Sequence, residues 1–431
     1  MHPARRLAAP ALAVLVAGCR APEPPRPVTF NKDVAPIVFG NCAPCHRPGG
    51  AAPFSLLRYA DAAKNAGEMV MQTRMRHMPP WQPEPGAFPI EGARRLTEAQ
   101  IDTIRRWEEG GAIEGDPRDL PAAPVFAEGW QFGKPDAVLT VPRAFVVKPG
   151  DEDVYRNLVY RAAMPSDRFV RAIELRTGGA PIHHAVIRID RTPASRRRDG
   201  EDGHPGFDGM AFHSVQDPDG HFLGWAPGRG PIVSPPGMPW RLSRAADLVV
   251  EMHVIPGSKP VALQPEVGLF FTATPPARSP LTVRMGSKAI DIPPGQRDYV
   301  VNDTYELPVP VDLLGVYPHA HYLGAEMIVT AAFPGGVEKR LAHIRDWSFR
   351  WQQDYRFVTP VALPAGTRLS MRYTFDNSAD NPDNPSDPPV RVRAGPTSTD
   401  EMAELGLQLL TRAPQDAAII ARAFGERELR A

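Results

Sequence analysis

The sequence predicts a multidomain chain, a small all-α domain followed by all-β sandwich domains, and three observations carry that expectation. At 431 residues the chain is too long for one ordinary core. Long helical periodicities are confined to the first quarter. Beyond it, short β-rich runs alternate with turn residues, in a chain that carries 51 Pro and 36 Gly. With 49 basic and 49 acidic residues the formal net charge is zero, so nothing points to nucleic acid or another polyanion as a partner.

The N-terminus reads as a leader over residues 1–19. Arg5-Arg6 precede an apolar stretch from Leu7 to Val16, which is too short to cross a bilayer. The small residues before Cys19 resemble a bacterial lipobox, in which that cysteine is lipidated and becomes the mature end. This places the protein on the periplasmic side of a bacterial membrane, held by a lipid anchor. An ordinary cleaved signal with an incidental cysteine, giving a soluble periplasmic protein, is the weaker reading.

Residues 28–118 form the expected helical domain. It carries Cys42-Ala43-Pro44-Cys45-His46, the attachment signal for haem c: two thiols add to the vinyl groups and the histidine binds the iron. A thioredoxin-like pair would need a βαβ context, and structural zinc would need more Cys or His nearby. The sixth iron ligand falls among Met71, Met75 and Met78, with His77 as a rival. Met78 is preferred, because Met78-Pro79-Pro80-Trp81 reads as a stiff strap across the haem face, whereas Met71 and Met75 sit in a helical run and read as core. Thr97-Glu98-Ala99-Gln100 is a capping box that opens a helix with Ile101, Ile104 and Trp107 on one stripe, closed by Gly110-Gly111. A Pro-rich linker fills 119–135.

Short strands are expected from there onward, among them Val138–Val141, Ala185–Ile189, Leu248–Ile255 and Met327–Val329. In Leu248–Ile255, alternation puts Leu248, Val250, Met252 and Val254 on one face. It sets His253 on the other, towards a surface or cleft. His319-Ala320-His321 projects two imidazoles from one strand face. His183 and His184 would oppose each other in a regular strand and can share an ion only at a bend or strand end, which Pro181 makes plausible. Each fragment alone is weak: a His pair is usually coincidence, and a methionine among 13 is usually core. Jointly, His183, His184, His253, His319, His321 and Met402 suffice for two mononuclear sites. One has three imidazoles; the other has two imidazoles and a thioether, a donor that selects soft Cu(I).

The joint pattern resembles the copper type II, ascorbate-dependent monooxygenases, the family of peptidylglycine α-hydroxylating monooxygenase and dopamine β-monooxygenase. The strings that carry the resemblance are Ile182-His183-His184-Ala185, Gly224-Trp225-Ala226-Pro227-Gly228, Val249-Val250-Glu251-Met252-His253, Pro318-His319-Ala320-His321 with Leu323-Gly324, and Asp400-Glu401-Met402. Their order and separations span about Trp130 to Leu410. Bacterial members with a cytochrome c-like segment in front are most alike. The resemblance implies two tandem jelly-roll sandwiches, at 136–285 and 286–425, and two copper ions. His183, His184 and His253 would hold the electron-transferring copper. His319, His321 and Met402 would hold the copper where dioxygen binds and the substrate C–H bond is cut. A fused haem c then implies single electrons passed from a periplasmic donor to the three-histidine copper. Two features depart from amidating members. Tyr317 stands where they have an arginine for a peptide carboxylate, and Gly406 stands where they have a tyrosine. A small non-peptide substrate is therefore expected. The alternative is a non-enzymatic haem–copper electron carrier or copper-handling protein that kept the ligands. A β-sandwich binding module tethered to a cytochrome, with incidental histidines, is a weaker third.

Overall fold

The computed structural model describes residues 26–151, 154–178, 180, 182–209, 214–254 and 256–428. Cys19, its leader and Pro181 lie outside them. The chain is mostly β-sheet with few helices. None of the described helices is long and apolar enough to cross a membrane.

The helices of the first quarter, Ala35–Asn41, Tyr59–Lys64, Ala66–Arg74 and Glu98–Glu109, share a core of Phe30, Val34, Leu56, Met69, Ile104 and Trp107. The capping box forms as its residue types require. Thr97 Oγ1 accepts from the Gln100 N–H at 3.2 Å, and Gln100 Oε1 accepts from the Thr97 N–H at 2.9 Å. Ile101, Ile104 and Trp107 are all buried on the inner face. One expectation fails here. Met71 and Met75 are exposed, because Ala66, Met69 and Thr73 take the buried stripe of their helix. The strap after Met78 leaves the helices altogether, and Trp81 is buried in the core of the last β unit, edge-on to Tyr355 at 5.5 Å. From there the 81–91 stretch runs along that unit's sheet edges. Glu84 N–H donates to His343 O at 2.7 Å, Glu91 N–H to Arg356 O at 2.8 Å, and Gln82 Nε2 to the carbonyls of Ser348 and Trp351, both at 2.8 Å.

The first β unit is built on two main antiparallel sheets, with Phe145–Val147 and Val261–Leu263 forming a small third one. One orders Ala137–Leu139, Glu266–Thr272, Arg168–Arg176 and Trp240–Leu242. The other orders Phe207–Asp208, Val154–Arg161, Asp247–Val254, Ile182–Asp190 and Val215–Gln216. Their inner faces form one apolar core that includes Leu158, Ile173, Ile187, Trp240, Val250 and Leu269.

The second β unit repeats the plan. Leu281–Ser287, Ala403–Thr411, Val311–His319 and Tyr355–Leu363 make one sheet; Tyr299–Glu306, Arg368–Phe375, Gly324–Ala332 and Glu338–Ile344 make the other. Leu405, Leu407 and Leu409 of the first meet Met327, Met371 and Phe375 of the second in the core. Because Leu281–Ser287 pairs along its length with Ala403–Leu409, the second unit begins by residue 281, ahead of the expected 286. A helix, Asp416–Glu428, follows the last strand and sends Ile420 and Phe424 into the same core.

Candidate metal centres

A single irregularity brings the first three histidines together. The strand pair Asp247–Val254 and Ile182–Asp190 runs in register to His253 opposite His184, and then Val254 faces Ile182. His183 is the extra residue of this β-bulge. A bulge breaks strict alternation, so two adjacent side chains can turn to one side. His183 Nδ1 lies 3.3 Å from His253 Nδ1 and 3.3 Å from His184 Nδ1. Donor nitrogens on all three fall within 4.8 Å of one another. Imidazole nitrogens bind first-row ions at about 2.0 Å, so two of them 3.3 Å apart would subtend about 110° at a shared ion. The donor set fits a metal.

His253 stands on the strand face opposite Met252 and Val254, as alternation requires, but that face does not open to solvent. Tyr155 stacks on its ring at 4.5 Å and 5°, and Phe349 of the second unit covers it at 5.5 Å, leaving His253 1% exposed.

The second set gathers at one end of the strand pair Val311–His319 and Ala403–Thr411. His319 ends its strand, His321 lies just beyond it, and Met402 immediately precedes the partner strand. The His-x-His rings therefore meet around a strand end, 5.3 Å apart at 86°, instead of along a continued strand. His319 Nε2 is 3.3 Å from Met402 Sδ. Its Nδ1 is 2.6 Å from Gln352 Oε1, and His321 Nδ1 is 3.0 Å from the Asp400 carbonyl oxygen. A carbonyl oxygen only accepts, so each Nδ1 carries the proton and each Nε2 keeps its lone pair for a metal. Gln352 cannot turn its amide round, because its Nε2 already donates to Phe349 O at 3.0 Å.

Burial keeps His184, His319 and His321 uncharged. It pushes His184 well down, with His253 and His183 adding to the shift, and lowers His319. His321 is pushed down to about 3 by burial and then by the neighbouring His319. Neutral imidazole is the form that ligates metals.

Sequence reasoning missed three residues of this centre. Gln352 sets the His319 tautomer, and nothing in the sequence marks it. Phe349 places its ring 5.5 Å from both His253 and His321, so one aromatic side chain separates the two donor sets. Glu401 was only part of a string. It is fully buried, and its carboxylate accepts from the backbone N–H groups of His321, Leu323 (3.0 Å) and Met402 (2.8 Å). Burial pushes its pKa up to about 8 against those three donors. Above about pH 8, where the carboxylate is ionised, Glu401→Gln turns one acceptor into a donor that faces N–H groups. The expected cost is about 1–3 kcal/mol, read as a lower denaturant midpoint, together with loosened binding at Met402.

His184 of the first set and all three residues of the second line one cleft of about 770 Å³, together with Tyr317 and Gln352 among others. Its arginines are neutralised. Arg188 pairs with Glu251 at 3.2 Å, Arg191 with Asp219 at 2.6 Å, and Arg284 with Asp217 at 2.9 Å and with Glu404. Tyr317 sits opposite Gly406 on the paired strands. A Cβ at Gly406 would meet Phe222 Cζ at 2.9 Å and Tyr317 Cβ at 3.3 Å, so their side chains fill the place a larger residue would need.

His221 and His343 serve the scaffold. His221 uses both ring nitrogens on the carbonyls of Pro218 and Met238, and His343 bridges Arg340 and Glu326.

In the helical unit, Cys42 and Cys45 are free thiols, and burial raises the Cys42 pKa to about 12. His46 Nδ1 lies 3.2 Å from Phe54 O, which leaves Nε2 as its lone-pair nitrogen. Phe54, Met71, Met75 and Met78 are among the large apolar side chains left exposed, at 37%, 46%, 55% and 43%. Two thiols, an oriented imidazole and available thioethers are a donor set that fits haem c.

No family model and no curated protein matches this chain. Among solved structures, similar chains include the major capsid protein P2 of bacteriophage PM2, at 10% identity and a TM-score of 0.28, covering 64% of this chain and 97% of that one. PNGF-II follows at 8% and 0.26, covering 64% and 65%, and the VP54 protein of PBCV-1 at 9% and 0.24, covering 66% and 95%. Likeness at this level leaves function to the chain's own residues.

Proposed function

We propose that this chain is a copper-dependent monooxygenase related to the copper type II, ascorbate-dependent family, with tandem jelly-roll domains and its own haem c domain. The observation that carries the reading is the pair of donor sets, three imidazoles and two imidazoles with a thioether, with Phe349 in contact with both and His184 lining the same cleft as His319, His321 and Met402. His183, His184 and His253 would hold one copper, and His319, His321 and Met402 the other. Cys42, Cys45, His46 and Met78 would hold the haem. When bound, these metals supply the electrons that split dioxygen between a substrate C–H bond and water.

The protein's own part is positioning. Gln352 and the Asp400 carbonyl fix two tautomers, Glu401 ties the His321 and Met402 backbones together, and Phe349 packs against a ring of each set. The paired arginines leave no uncompensated cation in the cleft for a carboxylate, which favours a small neutral substrate over a peptide. Export to the periplasmic side of the membrane, with Cys19 lipid-anchored and a periplasmic donor supplying electrons, belongs to the same reading.

Elemental analysis of the mature protein tests it: two coppers and one covalent haem iron per chain are expected. A chain that binds no copper refutes the proposal. The haem ligand has its own test. Met78→Ala should abolish the methionine-to-iron charge-transfer band while the haem stays attached. Loss of that band in Met75→Ala, with Met78→Ala unaffected, overturns the assignment.

A further inference from the structure

A second cavity, of about 430 Å³, opens where the three units meet, and its walls include Trp81 and Arg94, Gly228 and Arg229, and Asp354 and Arg356. Cys45 of the haem-attachment motif borders this junction. A Cβ placed on Gly228 would lie 2.1 Å from Cys45 Sγ and 3.5 Å from Arg94 Nη1. Gly228 has a φ of +80°, so both its backbone and its neighbours demand glycine. The Arg94 guanidinium also lies 5.7 Å from the centre of the Trp351 ring. Other cations of the cavity are paired: Arg229 with Asp354 at 2.5 Å, and Arg356 with Glu91 at 3.8 Å. Among the described residues no carboxylate forms an ion pair with Arg94.

We infer that the thioether edge of the haem is turned inward against this junction, with Arg94 as the cation beside it and Trp351 behind, and is not presented to solvent. The inference rests on the haem reading above and adds the direction in which the group faces. The thioether carbon is one bond from Cys45 Sγ, and that sulfur already touches the backbone of the first β unit. The missing Cβ of Gly228 is what lets the sulfur approach so closely, and Gln82 fastens the carbonyl of Trp351 at 2.8 Å. The residue after Trp351 is Gln352, which holds His319, so the inward edge faces a segment that positions a metal ligand.

A positive charge beside the haem in a partly dry junction favours the reduced, less positive form and raises its potential. Spectroelectrochemical titration of full-length, haem-bearing, copper-free protein reads this directly. Arg94→Gln should move the midpoint clearly downward and Arg94→Lys should restore it. Arg105→Gln, remote and paired with Asp102 and Glu109, should leave it in place. An unchanged midpoint in Arg94→Gln, with haem covalently present, overturns the inward orientation. Protein that matures without covalent haem overturns the haem reading itself, which separates the two failures.

Discussion

Alanine at His253 is expected to remove one of two bound coppers and to stop turnover, while the centre of His319, His321 and Met402 stays loaded. His253 carries one of three converging nitrogens, 3.3 Å from His183 Nδ1, and its ring is fixed between Tyr155 and Phe349. No described Asp, Glu or Cys joins this cluster, so two imidazoles would remain to hold the ion. Changes to the outer shell of a metal site typically cost about 10–100-fold in affinity or activity, and loss of a direct ligand should exceed that. Copper per chain should fall from two to one. An unchanged count would remove the three-histidine site from the account.

Met402→Ala should act differently. The thioether is the one soft donor near His319, and softness is what discriminates Cu(I) from Cu(II). Cu(II) loses only a weak donor here, unlike the loss of an imidazole at the first site, and should remain bound through two imidazoles held in place by Gln352 and the Asp400 carbonyl, while Cu(I) affinity falls at least roughly tenfold and turnover is lost. Competition with a Cu(I)-selective chromophoric chelator measures the first effect, and EPR of the oxidised protein checks the second form. Equal Cu(I) affinity in the variant would make Met402 a packing residue.

The legible part of this molecule was what local chemistry dictates. Thr97 and Gln100 had to form a cap once an apolar stripe followed them. The alternation in Asp247–Val254 put His253 across from Met252 and Val254. The spacing of His183 and His184 demanded an irregular strand end, and a bulge supplies it. What the sequence hid was tertiary. Alternation could not say that Phe349, nearly one hundred residues on, would cover His253. The prolines after Met78 read as a strap, but nothing local said that Trp81 at its end would bury its ring beside Tyr355 in the last β unit. Met71 and Met75 read as core because a short helix offers several possible apolar stripes, and Ala66, Met69 and Thr73 took the inner one. Gln352 has no local signal at all. Its role exists only because the fold brings its amide to His319.

The central claim is that two copper sites and one cleft on this chain insert oxygen into a substrate. Oxygen-18 labelling tests it most directly. Copper-loaded, haem-bearing, reduced protein is incubated with labelled dioxygen and a library of small neutral aromatic and aliphatic compounds, and the products are read by mass spectrometry. The account predicts at least one product carrying a single labelled oxygen, absent when copper is withheld and absent in Met402→Ala. Fully loaded protein that passes electrons but labels nothing would contradict it, and would identify the chain as a haem–copper electron carrier.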